Sequence, residues 1–349
     1  MKMAPLLRQL ATDSRFLPVV VHTGQHYDDR MSGQFFRDLG MPEPAYSLGV
    51  GSGSHAQQTA AIMVALEPIV LAEKPAAVIV VGDVNSTVAA AIVAAKLGVL
   101  VIHVEAGLRS FDRSMPEEIN RILTDAITNI YLVSEESGRE NLLAEGVRPE
   151  RIKFVGNLMI DSLHHHLARA RESGIVQRLG LSPKAYGLVT LHRPANVDHS
   201  GALRGILTAL SAIASELPLY FPAHPRTHAV LEQNGLCVDG GINVLEPLGY
   251  VEFLGLMDSA AVVLTDSGGI QEETTALGVP CLTLRENTER PVTVEQGSNM
   301  LAGVTGESIL AAWAALKSKP ESAGRKPALW DGRTAERCLD VFRDYFLKM

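Results

Sequence analysis

Short apolar runs alternate along the chain with longer stretches in which apolar residues recur at helical spacing. Most of the runs are continuous segments of four to seven residues, which is typical of parallel strands buried on both faces. Amphipathic stretches such as 57–73, 117–128 and 203–215 lie between them and predict helices. The predicted strands cover residues 16–22, 77–81, 99–104, 130–133, 152–155, 186–191, 219–222, 242–245, 261–265 and 281–284.

This alternation continues over the whole length and predicts an α/β fold of the doubly wound type. Half of the predicted strands precede residue 157 and half follow residue 185. We therefore expect two Rossmann-like domains, residues 1–158 and 159–330, followed by a C-terminal helix at 331–349. Two such domains facing a central cleft bring the carboxyl ends of both sheets to it, where α/β folds bind ligands.

The chain opens on a helical pattern, although an α/β domain usually opens on a strand. Met3, Leu6, Leu7 and Leu10 recur at helical spacing, and the first predicted strand begins only at residue 16. We therefore expect one strand and the loop that follows it to be absent from this sequence.

The charge balance narrows the range of partners. The 349 residues include 31 Lys and Arg against 39 Asp and Glu, a formal net charge of −8. Non-specific nucleic-acid binding needs a basic surface, so nucleic acid is not expected as a partner. A local basic pocket for a phosphorylated small molecule is compatible with this charge. The apolar fraction of 46% and the charged fraction of 20% exclude disordered and collagenous chains.

The cysteines predict neither a metal site nor disulfides. Cys237, Cys281 and Cys338 form no CxxC pair, so we expect no metal and a reducing, cytoplasmic setting. The most apolar stretch, 87–104, is interrupted by a lysine, a glycine and a histidine and is a poor membrane span. The N-terminal segment also lacks the apolar core and cleavage site of a secretory signal, so no membrane partner is expected.

The clearest chemical motif follows the ninth predicted strand. Asp266 ends that strand, and Ser267, Gly268 and Gly269 form a turn that leads into a helix. Glycines let the backbone approach a ligand, and the free N–H groups of a helix start attract anions, so the segment suits a diphosphate. Glu273, about one turn into the helix, is placed to bind ribose hydroxyls. A plain N-cap with a glycine turn is the alternative explanation.

Three carboxylates follow strands or begin a helix in the first half. Asp83 follows Gly82 at a strand end, Glu105 ends the next strand, and Glu117 lies in a Pro-Glu-Glu sequence at a helix start. A carboxylate that ends a buried strand is costly unless it is paired or functional. Arg109 is a candidate structural partner for Glu105. Helix capping and the helix dipole are the alternative explanations for Asp83 and Glu117.

The second half places cations at its strand ends. His192 and Arg193 follow one strand, His224 follows the next, and Arg290 comes after the strand that succeeds the Ser-Gly-Gly helix. Adjacent His and Arg side chains can bind phosphate oxygens and protonate a leaving group. Surface positions near loops are the alternative for each residue alone. Taken together, the second half of the chain offers cations that suit a diphosphate, and the first half offers carboxylates that suit acid–base chemistry on a sugar.

The ordered set of motifs closely resembles the non-hydrolysing UDP-N-acetylglucosamine 2-epimerases. Three motifs are highly specific in this order and spacing: His-Val-Glu-Ala-Gly-Leu-Arg at 103–109, Pro-Glu-Glu-Ile-Asn-Arg at 116–121 and Asp-Ser-Gly-Gly-Ile-Gln-Glu-Glu at 266–273. The resemblance extends from Lys2 to the Trp-Asp-Gly sequence at 330–332. It implies a glycosyltransferase-B-like fold of two domains, a homodimer, and a C-terminal helix at 334–347 that crosses back to the first domain.

The resemblance also implies a reaction and a set of site residues. The family interconverts UDP-GlcNAc and UDP-ManNAc, and its UDP-sugar products serve cell-surface polysaccharide synthesis. Because the C2 hydrogen is not next to a carbonyl, UDP is eliminated across C1–C2 to give a glycal and is then added back. This chemistry needs acid–base groups and cations but no cofactor. The implied catalytic residues are Asp83, Glu105, Glu117 and His192. The implied substrate-binding residues are Lys2, His26, Arg109, Arg193, His224, Ser267, Gly268, Gly269, Glu273 and Arg290.

The sequence departs from the family pattern at three places. The family's first strand and Gly-Thr-Arg-Pro-Glu loop, which precede the Lys-Met-Ala-Pro found here at 2–5, are absent. Ala195 replaces a glutamate that often precedes Asn196 in the family. The Gln-His pair at 25–26 is followed by Tyr-Asp-Asp, without the longer polar signature of allosteric members, so that regulation is not expected.

These residues are also compatible with four other functions. A related enzyme would epimerise a modified UDP-HexNAc, such as a diacetamido uronic acid. A hydrolysing epimerase would release ManNAc and UDP, which requires water to reach the glycal. A glycosyltransferase shares the architecture, but the carboxylates of the first two motifs argue against it. A UDP-sugar-binding protein would bind UDP without turnover.

Overall fold

The computed structural model describes residues 1–24, 39–197, 200–223, 241–318 and 325–347. The chain divides into two compact units. Unit 1 combines Met1–Ser162 with Ala328–Met349, and unit 2 is Leu163–Pro327. In sequence, unit 2 is therefore inserted into unit 1. Every helix in the described ranges is too short or too polar to span a bilayer.

Strands and helices alternate in both units. The strands are β1 (Val21–His22), β2 (Tyr46–Ser47), β3 (Ala77–Val81), β4 (Leu100–Val104), β5 (Ile130–Val133), β6 (Ile152–Phe154), β7 (Gly187–Thr190), β8 (Leu219–Pro222), β9 (Ile242–Leu245), β10 (Val262–Thr265), β11 (Cys281–Thr283) and β12 (Asn299–Leu301). The helices are α1 (Met3–Leu10), α2 (His55–Glu73), α3 (Asn85–Lys96), α4 (Pro116–Ile127), α5 (Glu136–Ala144), α6 (Leu158–Glu172), α7 (Ile175–Arg178), α8 (Pro194–Val197), α9 (Ser200–Ala214), α10 (Tyr250–Ser259), α11 (Gly268–Leu277), α12 (Pro291–Glu295), α13 (Gly306–Ser318) and α14 (Thr334–Phe346). A 3-10 turn covers Pro149–Arg151.

Unit 1 contains two parallel sheets. The smaller pairs β1 with β2, and the larger has the order β3-β4-β5-β6. Helix α14 packs with α1 against β4 and β5, where Leu339 and Phe342 join Leu6 in the core. The Asp161 carboxylate accepts hydrogen bonds from the backbone N–H groups of Thr334 at 3.1 Å and Ala335 at 2.7 Å. These bonds cap the start of α14 and fix it to this unit.

Unit 2 contains one parallel sheet of six strands in the order β12-β11-β10-β7-β8-β9. The chain passes from β7 outward through β8 to β9, then returns to β10 on the other side of β7. The carboxyl ends of β7 and β10 therefore form a topological switch point, the usual ligand-binding position of an open α/β sheet. The Thr190 and Thr265 hydroxyls, which end these two strands, lie 2.8 Å apart.

The structure confirms the predicted α/β class with parallel sheets. It also shows which strands the sequence pattern did not predict correctly. The predicted strand at 16–22 pairs only over Val21–His22, and β2 and β12 were not predicted. The observed units meet in sequence at 162/163 and 327/328, a few residues from the predicted boundary at 158/159 and from the predicted C-terminal segment at 331.

Candidate active site

In unit 1, Asp83 lies directly after β3 on a turn that begins at Gly82. Gly82 has a φ of +67°, a left-handed conformation that favours glycine. The partly exposed Asp83 carboxylate pairs with Arg121 of α4, whose Nη2 lies 2.6 Å from Oδ2. Asn120, also on α4, donates from Nδ2 to the Asp83 carbonyl oxygen at 2.9 Å. Helix α4 therefore holds both the backbone and the carboxylate of this turn.

Glu105 follows β4 in a strained conformation. Its φ is +71°, which is uncommon for a residue with a side chain and often marks a functional site. Its buried carboxylate binds the Lys2 ammonium, whose Nζ lies 2.7 Å from Oε1 and 2.5 Å from Oε2. The same Nζ is 3.8 Å from the position that a Cβ on Gly82 would take. Lys2 thus links Glu105 with the turn that carries Asp83.

The two adjacent glutamates at the start of α4 have different surroundings. Glu118 is buried and accepts hydrogen bonds from the backbone N–H groups of Ser110 at 2.9 Å and Phe111 at 3.0 Å. It also pairs with Arg121 Nη1 at 2.6 Å. Glu117 is half-buried, and its carboxylate has no partner among the described residues. Glu118 therefore anchors a loop, whereas the Glu117 carboxylate is left unpaired within the described part of the chain.

A buried ion network lies behind these residues. His103 of β4 is fully buried, with Nδ1 2.7 Å from Asp125 Oδ1 and Nε2 2.9 Å from the Gly82 carbonyl oxygen. Both ring nitrogens face acceptors, as they do in an imidazolium. Burial alone would lower the pKa of His103, but Asp125 and the Gly82 carbonyl outweigh it and raise that pKa. The imidazolium ties the Gly82 turn to α4.

Arg109 belongs to this network. Its side chain is 2% exposed, with Nη1 2.7 Å from Asp125 Oδ2 and Nη2 2.7 Å from Glu145 Oε2. Two carboxylates enclose its guanidinium, and substrate contact by Arg109 stays a prediction. It supports the loop that follows Glu105.

In unit 2, α11 begins at the carboxyl end of β10 with Ser267 as its N-cap. The Ser267 side chain makes no capping hydrogen bond, so the N–H groups of the first turn, with the positive end of the helix dipole, are available to an anion. A cavity of about 290 Å³ opens beside this turn. Its lining residues are Thr190, His192, Pro222, Pro247, Leu248, Phe253, Ser267 and Ile270.

Arg290 lies against the Ser-Gly-Gly turn with its side chain enclosed. Its Nε is 2.7 Å from Glu272 Oε1, and its guanidinium also contacts Glu289. A Cβ on Gly268 would stand 2.7 Å from Arg290 Nη1, so the guanidinium packs here because the residue is glycine. Its side chain is 5% exposed and supports the turn, and direct substrate contact by Arg290 stays a prediction.

His192 and Asp266 follow the two central strands, β7 and β10. Asp266 is fully buried, and its Oδ1 lies 2.9 Å from His192 Nδ1. Burial opposes ionisation of Asp266, but the hydrogen bonds from the His192 ring and from the backbone of His192 and Arg193 outweigh it and lower the pKa of this carboxyl. The His192 side chain is 59% exposed and lines the cavity. Its outer nitrogen is therefore open to a ligand.

Glu273 is buried in α11 beside Tyr250 of α10. The Tyr250 hydroxyl donates to Glu273 Oε1 at 2.8 Å. Burial raises the pKa of Glu273 to about 7; the Tyr250 hydrogen bond opposes this shift, and the charge of Glu272 adds to it. The carboxyl therefore changes its charge near neutral pH, and its anion is the form that only accepts hydrogen bonds.

The other predicted residues are distributed as follows. Arg193 is partly exposed, and its Nε donates to the Asp266 carbonyl oxygen at 3.0 Å. His26 and His224, both predicted to bind substrate, lie outside the described residues. Within the described ranges, no group of three His, Cys, Asp or Glu side chains is arranged to hold a metal ion.

Sequence reasoning predicted no role for three residues that position the site. Arg121 lies four residues after Glu117 on α4, a spacing that places both on one helix face and was the available signal. Asp266 ends a buried strand, the same signal that singled out Glu105. Tyr250 offered no signal, because its contact with Glu273 is created by the packing of α10 on α11.

The chain matches known proteins over nearly its whole length. The family model for UDP-N-acetylglucosamine 2-epimerase matches residues 8–343. The UDP-N-acetylglucosamine 2-epimerase of Methanococcus maripaludis is 44% identical over 319 residues, which cover 88% of this chain and 86% of that protein. The UDP-2,3-diacetamido-2,3-dideoxy-D-glucuronate 2-epimerase of Pseudomonas aeruginosa is 42% identical over 296 residues, which cover 84% and 82% of the two proteins.

A solved structure extends the match to the fold. The crystal structure of Methanocaldococcus jannaschii UDP-GlcNAc 2-epimerase in complex with UDP-GlcNAc and UDP has a TM-score of 0.90 to this chain at 40% identity. The match covers 98% of this chain and 96% of that one. The resemblance that the motifs indicated is thereby confirmed. The chain belongs to the UDP-N-acetylglucosamine 2-epimerase family.

Proposed function

We propose that this enzyme interconverts UDP-GlcNAc and UDP-ManNAc by reversible epimerisation at C2. The observation that carries the proposal is the cavity of unit 2, where the N-terminus of α11 and the exposed His192 side chain form an anion-binding surface. The relative from M. jannaschii was solved with UDP-GlcNAc and UDP. That complex supports a nucleoside diphosphate sugar as the ligand of this surface.

The groups of unit 2 suit the UDP portion of the substrate. The backbone N–H groups at Gly268 and Gly269 and the Ser267 hydroxyl donate to the diphosphate, and the helix dipole favours its negative charge. The Ser267 N–H itself donates to Thr265 Oγ1 at 3.0 Å. His192 and Arg193 add donors to phosphate oxygens. The carboxylate of Glu273 accepts hydrogen bonds from the ribose hydroxyls.

The carboxylates of unit 1 suit the acid–base steps at the sugar. One of Asp83, Glu105 and Glu117 takes the proton from C2, and the electron pair of the C2–H bond forms the C1=C2 double bond. The C1–O bond breaks, and its electron pair leaves with UDP. UDP then bonds to C1 again while a carboxyl group returns a proton to the opposite face of C2. The sugar is neither oxidised nor reduced overall, so no redox cofactor is required.

A modified UDP-HexNAc is the second candidate substrate. The relative from P. aeruginosa is named for a diacetamido uronic sugar, and its 42% identity lies between the 44% and 40% of the two methanogen proteins. The UDP-GlcNAc assignment stands first because both methanogen relatives carry it. The two assignments differ in the substituents of the sugar and share the chemistry at C2.

The test is to incubate the protein with UDP-GlcNAc in D2O and to follow the C1 and C2 protons by NMR. We expect UDP-ManNAc to appear with deuterium at C2, because the proton is returned by a group that exchanges with solvent. Free ManNAc and UDP would indicate a hydrolysing enzyme, and turnover of the diacetamido uronic sugar alone would indicate the second substrate. Binding of UDP without turnover of either sugar refutes the proposal.

We also propose a cytoplasmic homodimer that supplies cell-surface polysaccharide synthesis. A mostly apolar groove of about 530 Å³ lies in unit 1, lined by residues of α2, α3 and α4. Ile119 and Leu123, at its edge, are about half exposed. Exposed apolar surface of this kind is typical of protein interfaces, and a face with little charge can meet a copy of itself without repulsion. The free, buried thiols of Cys281 and Cys338 suit a reducing compartment.

A further inference from the structure

We propose that Asp266 is a positioning residue that holds the His192 ring with a proton on Nδ1 and with Nε2 toward the substrate diphosphate. The identity of the ligand rests on the proposed function. The orientation and protonation of the ring stand on the geometry of unit 2 alone. Asp266 itself contacts His192 and the loop after β7, not the substrate, and is therefore not a catalytic residue.

The carboxylate of Asp266 meets donors at both oxygens. The backbone N–H of His192 lies 3.2 Å from each oxygen, and that of Arg193 lies 3.0 Å from Oδ2. Asn196 Nδ2 lies 3.1 Å from Oδ2, and His192 Nδ1 completes the set at 2.9 Å from Oδ1. The loop after β7 thus wraps around one buried carboxylate. The ring is held by a group that is itself held in place.

The other charged groups nearby are engaged with one another. Arg193 directs Nε to the Asp266 carbonyl oxygen at 3.0 Å, and its Nη2 lies 3.9 Å from Glu289 Oε1. Glu289 pairs with Arg285 at 2.7 Å and with Arg290. Within the described part of unit 2, Asp266 is the acid that contacts the His192 ring. The proton on Nδ1 is therefore directed to Asp266.

This arrangement leaves Nε2 as the ring nitrogen for the ligand. In the imidazolium, Nε2–H donates to the β-phosphate oxygen of UDP while Nδ1–H stays on Asp266. When the C1–O bond breaks, its electron pair remains on that oxygen, which can then take the Nε2 proton. On the return step the oxygen gives the proton back to Nε2 as it bonds to C1. Asp266 stays ionised throughout.

Asparagine cannot reproduce this set of bonds, because one end of its side chain is an NH2 group. If the amide oxygen accepts from Arg193 N and Asn196 Nδ2, the NH2 group faces His192 Nδ1. Nδ1 must then accept, and the proton of the neutral ring moves to Nε2. The neutral Nε2–H ring still donates to the phosphate oxygen, but it is a much weaker acid than the imidazolium, and an NH2 group facing Nδ1 cannot stabilise the imidazolium as the Asp266 carboxylate does. Since His192 assists a leaving group already bound by α11, we expect kcat to fall about 10²-fold.

The test combines histidine-ring NMR with kinetics on the full chain. Long-range ¹H–¹⁵N spectra of labelled protein at pH 8 report the tautomer, and His192→Gln assigns the His192 signal by its disappearance. We expect the Nδ1–H tautomer in the wild type and the Nε2–H tautomer in Asp266→Asn. The kcat of Asp266→Asn for UDP-GlcNAc should fall about 10²-fold, with a much smaller change in KM. Asn196→Ala is the matched control, since it removes a donor to Asp266 without touching the ring, and should keep the Nδ1–H tautomer.

An Nε2–H tautomer in the wild type overturns the proposal even if Asp266→Asn does not fold. An unchanged tautomer in Asp266→Asn, or the same loss of kcat in Asn196→Ala, also overturns it, because loop anchoring would then explain the effect. A wild type with the Nδ1–H tautomer but no turnover of UDP-GlcNAc supports the positioning of the ring and rejects the proposed substrate. The two failures are thus distinguishable.

Discussion

The buried carboxyl of Glu273 predicts that ribose binding depends on pH in a defined direction. Its pKa is raised from 4.5 to about 7, mainly by burial. Tyr250 already donates to Oε1, which leaves Oε2 as the principal acceptor for a ribose hydroxyl. A protonated carboxyl must use one oxygen as a donor, so the ligand needs the anion. Binding therefore releases a proton, and affinity falls as the pH falls.

The size of the effect follows from the pKa. Each pH unit below a pKa of about 7 reduces the ionised fraction about tenfold, which corresponds to about 1.4 kcal/mol. At pH 5.5 about 3% of Glu273 would be ionised, whereas at pH 8.5 nearly all of it would be. Uridine affinity should therefore fall about thirtyfold between these two values.

Uridine is the appropriate probe, because it has no phosphate and loses its N3 proton mainly above this pH range. Its dissociation constant can be followed by NMR titration from pH 8.5 to 5.5 for the wild type and Glu273→Gln. The variant keeps the shape of the side chain but cannot ionise, so we expect weak binding that does not change with pH. A ligand control, 2′,3′-dideoxyuridine, lacks the ribose hydroxyls and should also bind without pH dependence. Equal pH dependence in the wild type and Glu273→Gln would refute the reasoning.

Two further predictions concern unit 1. Glu117→Gln should lower kcat about 10²- to 10⁴-fold with unchanged stability. Glu118→Gln should instead lower the free energy of unfolding by about 2 kcal/mol, because it disturbs the pair with Arg121 and the loop anchor. Kinetics and urea unfolding separate the two effects, and equal behaviour of both variants would contradict the assignment. Leu123→Glu should convert a dimer into a monomer in light scattering, whereas Leu71→Glu, at an exposed apolar position outside the groove, should not; a monomeric wild type would rule out the dimer.

The bounds of a strand could be predicted where its apolar run pairs with a neighbouring strand in the fold. The bounds of β3, β5, β8 and β9 agree with those predicted, because each run is mostly apolar and pairs with a neighbouring parallel strand. The run at 16–22 failed because its apolar residues are not all covered: Leu17 is 88% exposed. β2 and β12 span two and three residues, which is too short for a periodic signal.

The site residues were predictable as motifs, but not their partners. Sequence position singled out Glu117 as a candidate, but only the fold shows that its neighbour Glu118 anchors a loop. Nothing in the sequence indicated that the Arg109 guanidinium contacts Glu145, 36 positions away. Enclosure of a side chain depends on residues that are distant in sequence, so a motif indicates which residues matter more reliably than which of them meet the substrate.

The insertion of unit 2 into unit 1 determines the order in which the two halves of this enzyme can be completed. Asp161 caps α14 across 173 positions of sequence, and α14 supplies part of the core beside α1 and β4. During synthesis all of unit 2 leaves the ribosome before α14 does, and contacts of such long separation form slowly. Unit 2 can therefore become native first. Unit 1 is finished only when α14 is released and docks.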